Sequence, residues 1–250
     1  MSSAAAAQVP RWRALIAPGL ATLVALAILV SLGVWQLERR AWKETLIARI
    51  EAHAHGQPSA IVPEAQWPDW RAAEDEFRRV RVEGAFLHDR EVLVHGLMAA
   101  QRGAPAQGYY VFTPLRLREG ATMFVNRGFV PTELKDPKFR AEGEAPGPVT
   151  VTGLVRAPET RGAFVPSNDP AREEWFMRDP AAMARARGLD RVAPFYLDAD
   201  ATPNSGGWPR GGQTNLSVPN NHLQYAMTWF GLAMTLIGVF GAWAWRQART

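Results

Sequence analysis

Two stretches of this chain run without a charged side chain for the length of a membrane crossing, and they limit what it can fold into. The first is 24 residues, 14–37, and the second is 23 residues, 223–245. A helix rises about 1.5 Å per residue and a hydrocarbon core is roughly 30 Å thick, so each run suffices for one span. A cleaved signal peptide is the rival for the first run. Its apolar region would be about 7–15 residues long and would end on small side chains. This run is longer and ends in Leu32-Gly33-Val34-Trp35-Gln36-Leu37, so an uncleaved anchor is expected. Of the ten tryptophans, Trp12, Trp35, Trp42, Trp229, Trp243 and Trp245 lie in or beside the two runs, where aromatic anchors of membrane interfaces collect.

Arg246 and Arg249 follow the second run, and the dozen positions before it hold no Lys or Arg. The positive-inside rule then puts the C-terminus in the cytoplasm, and two spans return the N-terminus to the same side. The expected organisation is a cytoplasmic segment 1–13 carrying Arg11 and Arg13, a span 14–37, an extracytoplasmic domain 38–222, a span 223–245 and a cytoplasmic tail 246–250.

Residues 38–50 continue the first helix, after which Gly56, Pro58, Pro63 and Pro68 predict a loop. Short runs rich in β-branched or aromatic residues predict strands at 80–83, 91–95, 109–112, 122–125, 149–152 and 195–197. Asp179 as a cap, Pro180 in the first turn and Gly188 as terminator predict a helix over 179–187. The fold class expected is a membrane protein of α+β type: two transmembrane helices flank a β-rich, mostly antiparallel domain, with a small barrel as one form it can take. Zero cysteines exclude disulfides, thiolate metal sites and covalent haem attachment. A net charge of only +4, with scattered arginines, gives no footing for nucleic acid.

A polar knot, Pro219-Asn220-Asn221-His222-Leu223-Gln224-Tyr225, stands at the mouth of the second run, and His222 is the only one of five histidines beside a membrane-length segment. With Asn221 as cap, Gln224 takes the third helical position, a relative of the capping box. Two roles for His222 stay open on the residues alone. It satisfies the orphan amides of a helix start with its Asn neighbours, or its neutral imidazole ligates a metal, a haem iron foremost. The positive end of the helix dipole disfavours imidazolium and leaves a ring nitrogen for metal. Trp229, seven residues on, falls on the same face about 10 Å deeper, where a flat apolar macrocycle would lie along it. Gly231, Thr235, Gly238 and Ala242 form a small-residue stripe suited to close helix approach, with the first span or another membrane protein as its partner. Gln36 would then stand near the level of His222.

Residues 126–131, Asn-Arg-Gly-Phe-Val-Pro, read as a tight turn leaving a strand, with Arg127 able to bind a carboxylate or haem propionate. His53 and His55 read as a solvated pair, and His88 and His95 have no acidic ligand pattern near them. No nucleophile–base pair, phosphate loop or paired-carboxylate signature stands out, so no enzyme is expected.

Taken together, Leu32-Gly33-Val34-Trp35-Gln36-Leu37-Glu38-Arg39-Arg40, Phe77-Arg78-Arg79-Val80, Gly108-Tyr109, Thr113-Pro114-Leu115, Val125-Asn126-Arg127-Gly128 and the 219–226 knot with Thr228-Trp229-Phe230 resemble the surfeit locus protein 1 family in order and spacing. Phe129 stands where that family often has Trp. The resemblance implies a cytochrome c oxidase assembly factor of the bacterial inner membrane, its central domain periplasmic. It implies binding of haem a and aid in its insertion into oxidase subunit I, with haem A synthase a further partner. In bacterial members haem a binding is assigned to the histidine matching His222; Tyr225 and Trp229 would pack against the porphyrin and Arg127 would meet a propionate. The alternative is a cofactor-free membrane scaffold that stabilises subunit I while haem is inserted.

Overall fold

The computed structural model describes residues 13–98, 106–214, 216 and 219–249. In chain order its elements are α1 (Arg13–Ala54), β1 (Ser59–Ala60), α2 (Ala72–Asp75), β2 (Arg79–Phe86), β3 (Val92–Met98), β4 (Ala106–Leu117), β5 (Thr122–Pro131), β6 (Pro148–Arg156), α3 (Pro180–Arg187), β7 (Val192–Ala199) and α4 (His222–Arg249). They divide into two compact units, residues 1–49 with 217–250, and residues 50–216. The expected segment 1–13, with Arg11 and Trp12, falls outside the described residues apart from its last position.

The first unit is built on α1 and α4, both long and apolar enough to cross a membrane. Their covered positions recur every three or four residues, as one face of a helix requires. On α1 these include Thr22, Leu29, Gly33 and Gln36; on α4 they include Ala226, Phe230, Ala233 and Leu236. The closest approach is a ring in a notch, since a Cβ added at Gly33 would lie 2.6 Å from the Phe230 ring. The expected pairing of the Gly231, Thr235, Gly238 and Ala242 stripe with the first span does not occur. All four are exposed, and a Cβ at Gly231 or Gly238 would meet nothing within 4 Å. Of the two partners expected for the stripe, the first span is not the one it meets; α1 instead supplies the notch at Gly33, which Phe230 of α4 fills.

The second unit is a closed five-stranded barrel. Its strands follow the order β2-β6-β7-β5-β4 and close by the pairing of β4 back onto β2, with β1 and β3 added outside the ring. The pairings are antiparallel except β5 with β7 and β1 with β2. Side chains alternate across each strand, and the alternation separates two cores. Val80, Val82, Leu115, Met123, Val125, Val155, Phe195 and Leu197 come from all five barrel strands and fill the interior, with Trp67 packed against them. Val92, Val94, Phe112, Phe124, Phe129 and Tyr196 face the other way and are covered by Trp175 and by Met183 of α3. Being buried on both faces, β5 shows none of the in–out alternation of a half-exposed strand. Asp179 caps α3 by accepting from Ala182 N, and Gly188 ends it in the left-handed region at φ 59°.

Two expectations are corrected in this unit. Residues 126–131 are not a turn but the second half of β5. The extended path holds because buried Asn126 donates to Asp198 Oδ1 at 2.8 Å and its Oδ1 accepts from Gly128 N at 3.1 Å. Gly128 has φ +123°, and a Cβ there would lie 2.0 Å from Arg210 O, so the polar, glycine-bearing composition marks a close backbone crossing. His53 and His55 are not an equally solvated pair: His53 is half-buried with Nδ1 3.2 Å from Glu76 O, while His55 is exposed.

Candidate functional site

In the helical unit, the start of α4 is tied to α1 by two polar contacts. Lys43 donates from Nζ to Pro219 O at 2.6 Å, which holds the chain entering α4. About two turns earlier on the same helix, Gln36 is only 9 % exposed, and its Oε1 lies 2.6 Å from His222 Nδ1. An amide oxygen can only accept, so the proton sits on Nδ1 and Nε2 is left with its lone pair. The hydrogen bond on one ring nitrogen decides which other nitrogen is available to a ligand. Asn220 adds a buried Oδ1 with no hydrogen-bond partner in the protein, an unsatisfied acceptor two residues from the imidazole.

Trp229 is half-buried on the face of α4 that carries Ala226 and Ala233, the side turned to α1. Tyr225, three residues after His222 and four before Trp229, borders the same face and is 56 % exposed. Lys43 is a contributor that the sequence reading passed over. Its signal was present: Gln36 and Lys43 are seven apart on a helix whose covered face runs Gly33, Gln36, Arg40, Lys43.

Arg127 belongs to the barrel unit. It is 2 % exposed. Its Nη2 donates to Gly143 O and, at 3.3 Å, to Asn204 Oδ1, and its Nη1 is 3.5 Å from His88 Nδ1. The guanidinium carbon stands 4.8 Å over the Phe86 ring. Burial pulls its pKa down to about 10, against the opposing pull of the nearby Glu91 charge. Among the described residues, the other buried arginine, Arg140, pairs with Glu91, whereas Arg127 forms no ion pair. Asp198, 3 % exposed, gathers Asn126, Arg156 and Thr214 into one network at the root of the same strand. Among the described residues no three His, Asp or Glu side chains converge as a metal-ion cluster.

Comparison with known proteins bears on the whole arrangement. The family model described as the SURF1 family matches residues 23–234, from the first apolar helix through the barrel into the second. Surfeit locus protein 1 of Homo sapiens is 38% identical over 214 residues, covering 81% of this chain and 69% of that protein. The Xenopus tropicalis protein of the same name is 39% identical over 214 residues, covering 81% and 67%. The SURF1-like protein of Monosiga brevicollis is 40% identical over 215 residues, covering 82% and 79%. A match of this extent over both helices and the barrel makes the chain a member of the SURF1 family.

Proposed function

We propose that this protein is a non-catalytic assembly factor for cytochrome c oxidase, which holds haem a and aids its delivery to oxidase subunit I. The observation that carries this reading is the 2.6 Å contact of His222 Nδ1 with Gln36 Oε1. Metal-ligating histidines characteristically donate their second ring N–H to a fixed acceptor, which sets the tautomer, orients the ring and raises its basicity. His222 is held in that way, with Nε2 left over. The donor set therefore suits a haem iron, and the buried, unpartnered Asn220 Oδ1 offers an acceptor to a polar group arriving there.

When bound, haem a would supply an iron that takes a neutral imidazole nitrogen as a ligand. His222 would provide that nitrogen and Gln36 would keep its ring from turning. Trp229 and Tyr225 would offer aromatic surface to the porphyrin. In this reading the two apolar helices lie in the bacterial inner membrane with both termini cytoplasmic, and the barrel is periplasmic. Oxidase subunit I is the recipient, haem A synthase the donor, and lipid surrounds the helices.

The test is an optical spectrum of the haem-loaded, full-length protein in detergent. A Soret band that His222→Ala removes, with the far-ultraviolet circular dichroism unchanged, is the expected result. Normal haem occupancy in that variant would overturn the ligand assignment.

One observation favours a second reading, a cofactor-free scaffold for subunit I. The Gly231 and Gly238 face of α4 is exposed with open space around it, which suits a helix of another membrane protein. Gly231→Leu with Gly238→Leu would then abolish co-purification with subunit I, while His222→Ala would still yield haem-replete oxidase.

A further inference from the structure

Buried charges in proteins are paired, because removing an ion from water costs several kcal/mol that only a counter-charge and hydrogen bonds return. Among the described residues, the barrel unit obeys this rule at Arg140, which takes Glu91, and at half-buried Arg156, which takes Glu76 and Asp198. Arg127, more deeply buried than Arg156, breaks it. Its hydrogen bonds go to neutral acceptors, Gly143 O, Asn204 Oδ1 and, at the edge of range, His88 Nδ1, and its Nε has no partner. Of the neighbouring carboxylates, Glu91 is committed to Arg140, Asp200 at the pocket rim faces Arg79 at 3.6 Å, and Glu144 acts on Arg127 only through space, without an ion pair to it. His88 cannot supply a negative charge.

Arg127 lines a cavity of about 230 Å³ together with Phe86, Thr150, Thr152, Asn204 and Asp200. The Asn204 amide is already engaged, donating to Pro209 O and accepting from Arg127. We infer that this pocket is a binding site for a compact monocarboxylate, held by the Arg127 Nη1 proton that the protein leaves free and by the threonine hydroxyls. One cation without an ion pair matches a single negative charge. A phosphate dianion would bring a second charge with nothing to meet it. The assignment does not rest on the haem reading, since it needs neither His222 nor a tetrapyrrole, although a propionate arm shares the chemistry.

The full-length protein in detergent should be titrated with sodium propionate at constant ionic strength, followed by saturation-transfer NMR of the propionate and by thermal shift. A saturable response is expected in the wild type and in His222→Ala alike. Arg127→Gln should weaken it about tenfold or more, as loss of a charged hydrogen bond does. Because Arg127→Gln alters a buried charge, Thr152→Val provides an independent arm that leaves the guanidinium in place; it should weaken propionate about fivefold. A response matched by chloride, or equal in the wild type and both pocket variants, would overturn the site. Loss of the response in His222→Ala would overturn the site's independence of His222.

Discussion

Gln36 and His222, 186 positions apart, are joined by a 2.6 Å hydrogen bond from Nδ1 to Oε1. The amide oxygen accepts from Nδ1, and on the proposed haem reading Nε2 of the neutral ring is the nitrogen left for iron. Gln36→Leu keeps the volume of an apolar helix position and removes the acceptor. Haem affinity should fall about 10–100-fold, the range seen when a partner of a metal-ligating histidine is lost. A haem titration followed at the Soret band measures it. Equal affinities in wild type and variant would mean that the bond is only a fastening between helices.

Packing at Gly33 gives a contrast between glycines. Gly33→Val drives a branched side chain into the Phe230 ring, and overpacking of this kind costs about 1–3 kcal/mol. Gly231→Ala and Gly238→Ala meet open space and should stay within about 0.5 kcal/mol of wild type. Thermal unfolding of the detergent-solubilised protein separates the two classes.

In the barrel, Arg140 and Glu91 form a buried pair with side chains 1 % and 9 % exposed. Glu91→Gln leaves the guanidinium buried without its counter-charge, at a cost of about 3–5 kcal/mol. Chemical denaturation of the full-length protein, read at the barrel tryptophans, should register a loss of this size. A change below about 1 kcal/mol would mean that water reaches the guanidinium.

A carboxylate near the surface sets a weak acid dependence. Arg187 hydrogen-bonds Glu173 and holds its pKa below the ordinary 4.5. The folded value being the lower one, the pair's contribution is complete above the ordinary value and is lost as pH falls through the folded value. Glu173 is more than half exposed, so screening keeps the effect below about 1 kcal/mol. Wild type should lose slightly more stability than Glu173→Gln between pH 5 and the acid limit of folding, tracked by melting temperature.

The elements were legible wherever one local rule governed them. The two apolar runs, the α3 helix with its Asp179 cap and Gly188 stop, and the cores of six strands all follow from period and punctuation. Barrel closure was not legible, because the pairing of β2 with β4 is a non-local contact that no window of sequence contains. The 126–131 segment failed for a related reason: Asn and Gly signal turns, yet Asn126 here bonds Asp198 across the sheet and Gly128 makes room for Arg210 O. At the site, His222 and the level of Gln36 could be read from spacing along two spans. Lys43 shares the covered face of Gln36 seven residues on. Its partner is a backbone carbonyl, which leaves no trace in residue type, so the spacing alone did not name the contact.

The pairing of α1 with α4 also has a schedule. A chain grows at about 5–20 residues per second, so Gln36 emerges roughly 10–40 s before His222 is made. Until then its amide sits on an apolar helix without the imidazole, and every barrel strand is synthesised in that interval. Translation stopped at any codon of the β unit yields an anchored product with α1 intact and the histidine missing. The two-helix contact is thus a property of finished chains only.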